Sequence, residues 1–157
     1  EEFFTRAFAV RRLKDVFASK WTRHDVIELH RQEKFLLLAH DQVTYRKLGS
    51  LVGHISDFTR EEFKSQYMSM FQQALTHRPN VSNHYNVLQH LYGFLKSNLT
   101  PKAKLLFREM LAEFKDLFLP LSVIMSTLKV LSKQASCGYV DSQTYLSPFP
   151  VVARFKP

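Results

Sequence analysis

The stretch Glu33-Lys-Phe-Leu-Leu-Leu-Ala-His-Asp41 decides how the chain folds. Its centre, Phe35 to Ala39, puts an apolar side chain on every face of a helix. Such a helix must be covered from several sides, which places it in the middle of other helices. The run is far too short to span a bilayer. Around it the helical spacing extends from about Arg23 to Lys47, and Gly49 stands where a C-terminal cap is expected.

Working outward, Phe4, Ala7, Phe8, Leu13, Val16 and Phe17 recur at three- and four-residue intervals and predict a first helix ending near Lys20. Thr59-Arg-Glu-Glu62 reads as a capping box that opens a helix to about Thr76. Arg78-Pro-Asn80 breaks that helix, and Asn80, Ser82 or Asn83 can cap the next, through about Lys96. Thr100-Pro101 pairs an N-cap with a proline in the first helical position, where its missing N–H is not needed. Pro120 separates that helix from one over Leu121 to about Lys133. Ser136-Cys-Gly138 is a turn, and a short last helix is expected over Asp141 to Leu146. The expected fold is all-α: one compact domain, residues 1–150, of about six or seven helices around a central buried helix, with a tail over 151–157.

The chain has 157 residues, 45% of them hydrophobic, enough for the core of one domain. Lone Cys137 excludes an internal disulfide and a cysteine-rich zinc or iron–sulfur centre, and only 4 glycines argue against glycine-rich nucleotide loops. There is no P-loop, nucleophile elbow or dinucleotide fingerprint. No two histidines stand three or four residues apart, so no metal site is expected.

The net charge is +8, and it is unevenly placed. From Phe63 to Arg108 there is no Asp or Glu, while Lys64, Arg78, Lys96, Lys102, Lys104 and Arg108 supply positive charge alongside His77, His84 and His90. Lysine and arginine neutralise phosphate and release its counterions. Asn83, Asn86, Gln89 and the histidines can hydrogen-bond base edges, and Tyr85, Tyr92 and Phe94 can stack on unpaired bases if exposed. The plain alternative is a solvated basic face with Tyr92 and Phe94 in the core. On the helix through this segment, Val87, Leu88, Leu91, Phe94 and Leu95 form the inward face, and Gly93 allows another backbone to come close. On the long central helix, at about 100° per residue, His30, Lys34, Asp41 and Tyr45 fall within an arc of about 60°. Lys34 and Asp41 are expected to pair there, with His30 and Tyr45 as hydrogen-bonding or acid–base groups.

Several strings occur together: Arg6-Ala-Phe-Ala, His30 followed by Lys34-Phe-Leu-Leu-Leu-Ala-His40, and Tyr45-Arg-Lys-Leu-Gly49. His84-Tyr-Asn-Val-Leu-Gln-His90 with Gly93-Phe, Pro120-Leu, and Gln143-Thr-Tyr-Leu146 with Pro148 follow in order. Over nearly its whole length the sequence resembles the YbgA-like domain, a bacterial family of unknown function. Its members occur alone or C-terminal to a thiouracil-desulfidase domain that carries an iron–sulfur cluster. The resemblance implies a cytoplasmic module that binds and presents thiolated tRNA to a desulfidase, in cis or in trans, with no cofactor or membrane partner of its own. It carries over His30, Lys34, His40, Tyr45, Arg46, His84, Asn86, His90 and Lys96. Members often have Arg and then an aromatic residue or His before the motif lysine; here Gln32 and Glu33 stand instead.

The preferred expectation is a tRNA-binding, substrate-recruiting domain. Lys34, Arg46, Lys96, Lys102 and Lys104 would contact phosphates, and His30, His40, Tyr45, His84, Asn86, Gln89 and His90 would form a more specific patch. One alternative is an enzyme doing acid–base chemistry on a nucleoside or phosphate with His30, Tyr45 and His90. Another is a scaffold that docks a protein.

Overall fold

Asp41 divides the expected central helix in two. Its backbone is extended (φ −152°, ψ 102°), so it closes one helix and opens the next. Its carboxylate then accepts hydrogen bonds from the Val43 and Thr44 N–H groups and from the Thr44 hydroxyl. A short acceptor side chain here satisfies amide donors that the new helix cannot satisfy itself.

The computed structural model describes residues 2–150, so the expected tail at 151–157 lies outside the described residues. Among the described residues eight α-helices follow one another: α1 (Glu2–Phe17), α2 (Arg23–His40), α3 (Gln42–Gly53), α4 (Arg60–Ala74), α5 (Val81–Leu95), α6 (Pro101–Lys115), α7 (Leu121–Gln134) and α8 (Gly138–Asp141). The described residues hold no strand. The count exceeds the expected six or seven because α2 and α3 are separate. The short last helix also lies earlier than expected, at α8, and Gln143 to Leu146 form turns. Gly49 is not a cap but lies inside α3, where a Cβ would stand 3.7 Å from His30 Nε2.

The helix starts after Thr59, Asn80 and Thr100 are as their caps predict, and Thr22 opens α2 in the same way. Thr22 and Asp25, Thr59 and Glu62, and Asn80 and Asn83 form reciprocal capping pairs, and Thr100 accepts from Ala103 N–H just before Pro101. Two helix ends are less usual. Leu117 and Ser136 have φ of 65° and 51°. At the first, Phe118 N–H bonds Glu113 C=O at 2.8 Å and Leu117 N–H bonds Phe114 C=O at 3.1 Å. That left-handed position favours glycine. Leucine occupies it with 74% of its surface exposed, followed by Phe118 at 82%.

Helix α2 is the axis of the molecule. Val26, Leu29 and every residue from Phe35 to His40 are buried. Its His30 side faces Tyr45 of α3 and Tyr67 of α4, and its Phe35 side meets Phe94 of α5 and Tyr139 of α8. Its Arg31–Glu33 carbonyls and side chains hold the segment after α8. There Thr144 N–H and hydroxyl donate to Gln32 C=O (both 3.1 Å), and the Gln143 amide donates to Arg31 C=O (3.1 Å). Glu33, 0% exposed, is the deepest charge. The Arg12 guanidinium grips both of its oxygens, and the Thr144 hydroxyl donates to Oε2 at 2.9 Å. Arg12 also donates to Pro148 C=O at 2.8 Å.

Removing one partner of a buried ion pair strands the other charge. Arg12→Met alone is therefore expected to lose ~3–5 kcal/mol in urea unfolding. The double variant Arg12→Met/Glu33→Leu should lose much less, and equal losses would show that Glu33 does not need its partner. Leu117→Gly removes the left-handed penalty. Gly93→Ala meets nothing within 4 Å of the added Cβ. Each is expected to raise stability by ~0.5–1 kcal/mol in the same measurement.

Candidate functional site

The sequence-predicted residues separate into three places. The first is a half-buried pair between α2 and α3. The His30 and Tyr45 rings stack with centroids 5.9 Å apart and planes 5° apart, and His30 Nδ1 lies 3.1 Å from the Tyr67 hydroxyl. The two thus meet across a helix–helix corner and not along one helix. Burial, helped by nearby Lys34, pushes His30 down to about 4. The expected Lys34–Asp41 pair is not formed. Lys34 Nζ lies over the Phe35 ring at 5.3 Å, and Asp41 serves the α3 cap, with His77 Nδ1 3.4 Å away. Arg46 is exposed on α3.

The second place is the α5–α6 hairpin. Gln89, His90, Lys96 and Lys102 are exposed, while Asn86 and Lys104 are half-buried. His90 does not join His30 and Tyr45: α5 packs along the Phe35 side of α2, about 140° around the helix from His30. Tyr92 is buried and stacks on Phe107 at 5.0 Å. Phe94, expected inward, is half-exposed and touches Tyr139 at 4.9 Å. Gly93 faces open space, so the expected close backbone approach does not occur.

The third place is a cleft of about 600 Å³, within the usual range for small-ligand sites. Leu36 and Ala39 of α2, with Leu121 and Met125 of α7, make much of its apolar wall. Glu2 of α1, His40 of α2, His84 of α5 and Tyr145 after α8 supply polar groups, with Ser122 and Ser126 on α7. His84 Nδ1 is 2.9 Å from the Tyr145 hydroxyl. His40 Nδ1 is 2.7 Å from His77 C=O, an atom that only accepts, so Nδ1 carries the proton. His40 Nε2 then faces Glu2 Oε1 at 3.8 Å. Burial lowers the pKa of His40 against the opposing pull of the His77 carbonyl and Glu2. Burial, and then the neighbouring His40, pushes His84 down to about 4. Both imidazoles are neutral at pH 7. Burial also pushes the Tyr145 hydroxyl well up, so it stays protonated. Sequence reasoning named His40 and His84 but not Glu2, Tyr145 or the serines. Tyr145 stands in the Gln143–Leu146 string, whereas nothing local marked Glu2. Among the described residues no three His, Cys, Asp or Glu side chains group to hold a metal ion. No described helix is long and apolar enough to cross a membrane.

A family model described as a protein of unknown function (DUF1722) matches residues 34–150. The chain belongs to that family. It is also 24% identical over 152 residues to the uncharacterized protein YbgA of Escherichia coli strain K12, covering 96% of this chain and 90% of that protein. No solved structure matches. The family match spans most of what builds the cleft, from Leu36 to Phe149, but not the α1 residue Glu2.

Histidines 30 and 84 hold fewer protons folded than unfolded. Stability is therefore constant above about pH 6.5 and falls as pH drops toward 4, where the unfolded chain takes up protons that the folded one refuses. Glu28, held down to about 2 by Arg31 and Gln32, works in the same sense but only below its own ordinary value, so it keeps its contribution through most of that window. Melting temperature should fall between pH 6.5 and 4.5, and His84→Gln should flatten the dependence. A flat wild-type profile would contradict this.

Proposed function

We propose that this member of the DUF1722 family is a non-catalytic RNA-binding module that holds a tRNA while a thiouracil desulfidase, joined to it or recruited, acts on a thiolated residue. The setting is cytoplasmic. The supporting observation is where the unpaired cations lie. Arg6, Arg11, Arg12, Arg31 and Lys133 pair with Glu2, Asp15, Glu33, Glu28 and Asp141. All five pairs fall outside the acid-free stretch from Phe63 to Arg108. Within it Lys96, Lys102, Lys104 and Arg108 make no ion pair among the described residues, and they follow one another from the end of α5 into α6. Cations that are not tied up in ion pairs attract a polyanion. Exposed Gln89 and His90 and half-exposed Phe94 offer hydrogen bonds and a ring face on the adjoining helix.

The acid–base alternative has less support, because His90 is separated from His30 and Tyr45. A docking role has one observation in its favour. Leu117 and Phe118 project from the α6–α7 corner into solvent, an apolar pair that a partner protein could cover.

The test is fluorescence anisotropy with labelled bulk tRNA over a salt series, with duplex DNA as competitor. Affinity should fall steeply with salt, and Lys96→Ala/Lys102→Ala should reduce the slope of log K against log salt by about 2. Binding that ignores salt, or that duplex DNA displaces as readily as tRNA does, would overturn the reading.

A further inference from the structure

The solvent side of α5 carries an aromatic ring, a bare stretch of backbone and a cation, in that order around the helix. At about 100° per residue, Phe94 lies about 100° to one side of Gly93 and Lys96 about 60° to the other. All three positions are exposed, and Lys96 still holds helical backbone (φ −54°, ψ −33°). Phe94 keeps 46% of its surface in solvent while its ring rests on Tyr139, centroids 4.9 Å apart, and on Phe35, 6.3 Å away. Tyr139 is in turn covered by the Arg31 guanidinium at 5.7 Å. This row of rings holds Phe94 in place and leaves part of it in water.

One exposed ring is ordinary on a protein surface. Gly93 supplies the second observation. A Cβ there would meet nothing within 4 Å, and no glycine of the described chain has a positive φ. Neither packing nor backbone conformation therefore needs glycine at this position, although glycine weakens a helix interior relative to alanine. The gap is one that the fold itself does not use. The charge around it favours an anion. Helix α5 has no acid, and Glu28, beside Arg31, is already held by Arg31 and Gln32. On α6, Glu109 and Glu113 stand about two and three turns beyond Lys102. A ring, an open strip of backbone and an unpaired cation follow the order in which a nucleotide presents base, sugar and phosphate. Pairing in a duplex leaves no base face free, so the nucleotide that fits is unpaired.

We infer that Phe94 and Gly93 form a stacking site for one unpaired base of RNA, with the sugar crossing Gly93 and the phosphate meeting Lys96. This rests on the RNA-binding reading above and adds that the segment held is single-stranded. His90, exposed one turn before Phe94, is placed to hydrogen-bond the base edge. Every base has a ring face, so the site tolerates sequence, and the larger purines cover more of Phe94 than uracil does.

The test is anisotropy of the full chain with a labelled short oligoadenylate, the matching oligouridylate and an RNA duplex of the same length, each over a salt series. The oligoadenylate is expected to bind tightest. Phe94→Ala should weaken it about tenfold and leave the salt slope unchanged, because no phosphate contact is lost. Phe94→Trp should retain the affinity, and its added emission should be quenched on binding. Phe94→Ala also trims packing on Tyr139, so Gly93→Leu is the second variant. It should melt no lower than the wild type and still bind the oligoadenylate more weakly, a loss that unfolding cannot produce. Equal binding of duplex and single strand, or affinity that ignores both Phe94→Ala and Gly93→Leu, would overturn the stacking site and leave the cationic track standing. A wild type that binds none of the three RNAs in a salt-dependent way would overturn the RNA reading itself, and the site with it.

Discussion

The carboxylate of Glu33 is the constraint on which much of the remaining arrangement depends. It sits without solvent contact on the central helix, and its charge is tolerable only because Arg12 grips both oxygens and Thr144 donates to one. Those partners come from opposite ends of the chain. Satisfying one buried charge therefore fixes α1 against α2 and straps the segment after α8 across the same helix. Arg12 extends the clasp to the Pro148 carbonyl. The strap carries Tyr145 into the cleft, and α1 carries Glu2 there, so two of the cleft's polar groups are positioned by the same ion pair. An apolar pair could bury as much surface, but it would not select this one register of α1 and strap on α2.

Charge is divided between two regions with opposite character. The α5–α6 hairpin displays cations that make no ion pair among the described residues, a surface suited to long-range attraction of a polyanion. The cleft wall carries His40 and His84, whose pKa values burial lowers, and beside them a buried Glu2 oxygen that accepts no hydrogen bond. The two meet on α5, whose first turn carries His84 and whose end leads into Lys96. In the RNA-binding reading, α5 is the element that would relate a backbone contact to a base contact.

The strings that carry the family resemblance have a spatial logic. Leu36, Ala39 and His40 come from one, His84 from another, and Leu121, Tyr145 and Pro148 from the later ones, and all of them line the cleft. The Tyr45–Gly49 string goes elsewhere, to the His30 stack, where Gly49 leaves room beside the imidazole. The departure at Glu33 acquires a structural meaning, because this position points into the Arg12–Thr144 clasp and not toward solvent.

Most of the secondary structure follows from local features of the sequence. Caps at Thr59, Asn80 and Thr100 are local: a side-chain oxygen meets an amide three residues on, and no distant contact is needed. The all-round apolar run at Phe35–Ala39 likewise announced a central helix, since covering it admits no other arrangement. Where two readings competed, tertiary structure decided. Helical spacing continued through Asp41, but Asp41 caps α3 and folds it back on α2, so Gly49 became a packing position and Tyr45 met His30 across a corner. Helical spacing also put Phe94 inward, while the packing of α8 left it half-exposed against Tyr139. The cleft was only partly legible. His40 and His84 stood out as polar residues on apolar helices, but Glu2 carried no local mark. Its isolation from donors exists only once α1 is laid against the end of α2, because an unsatisfied acceptor is a property of three-dimensional neighbours and not of spacing along a chain.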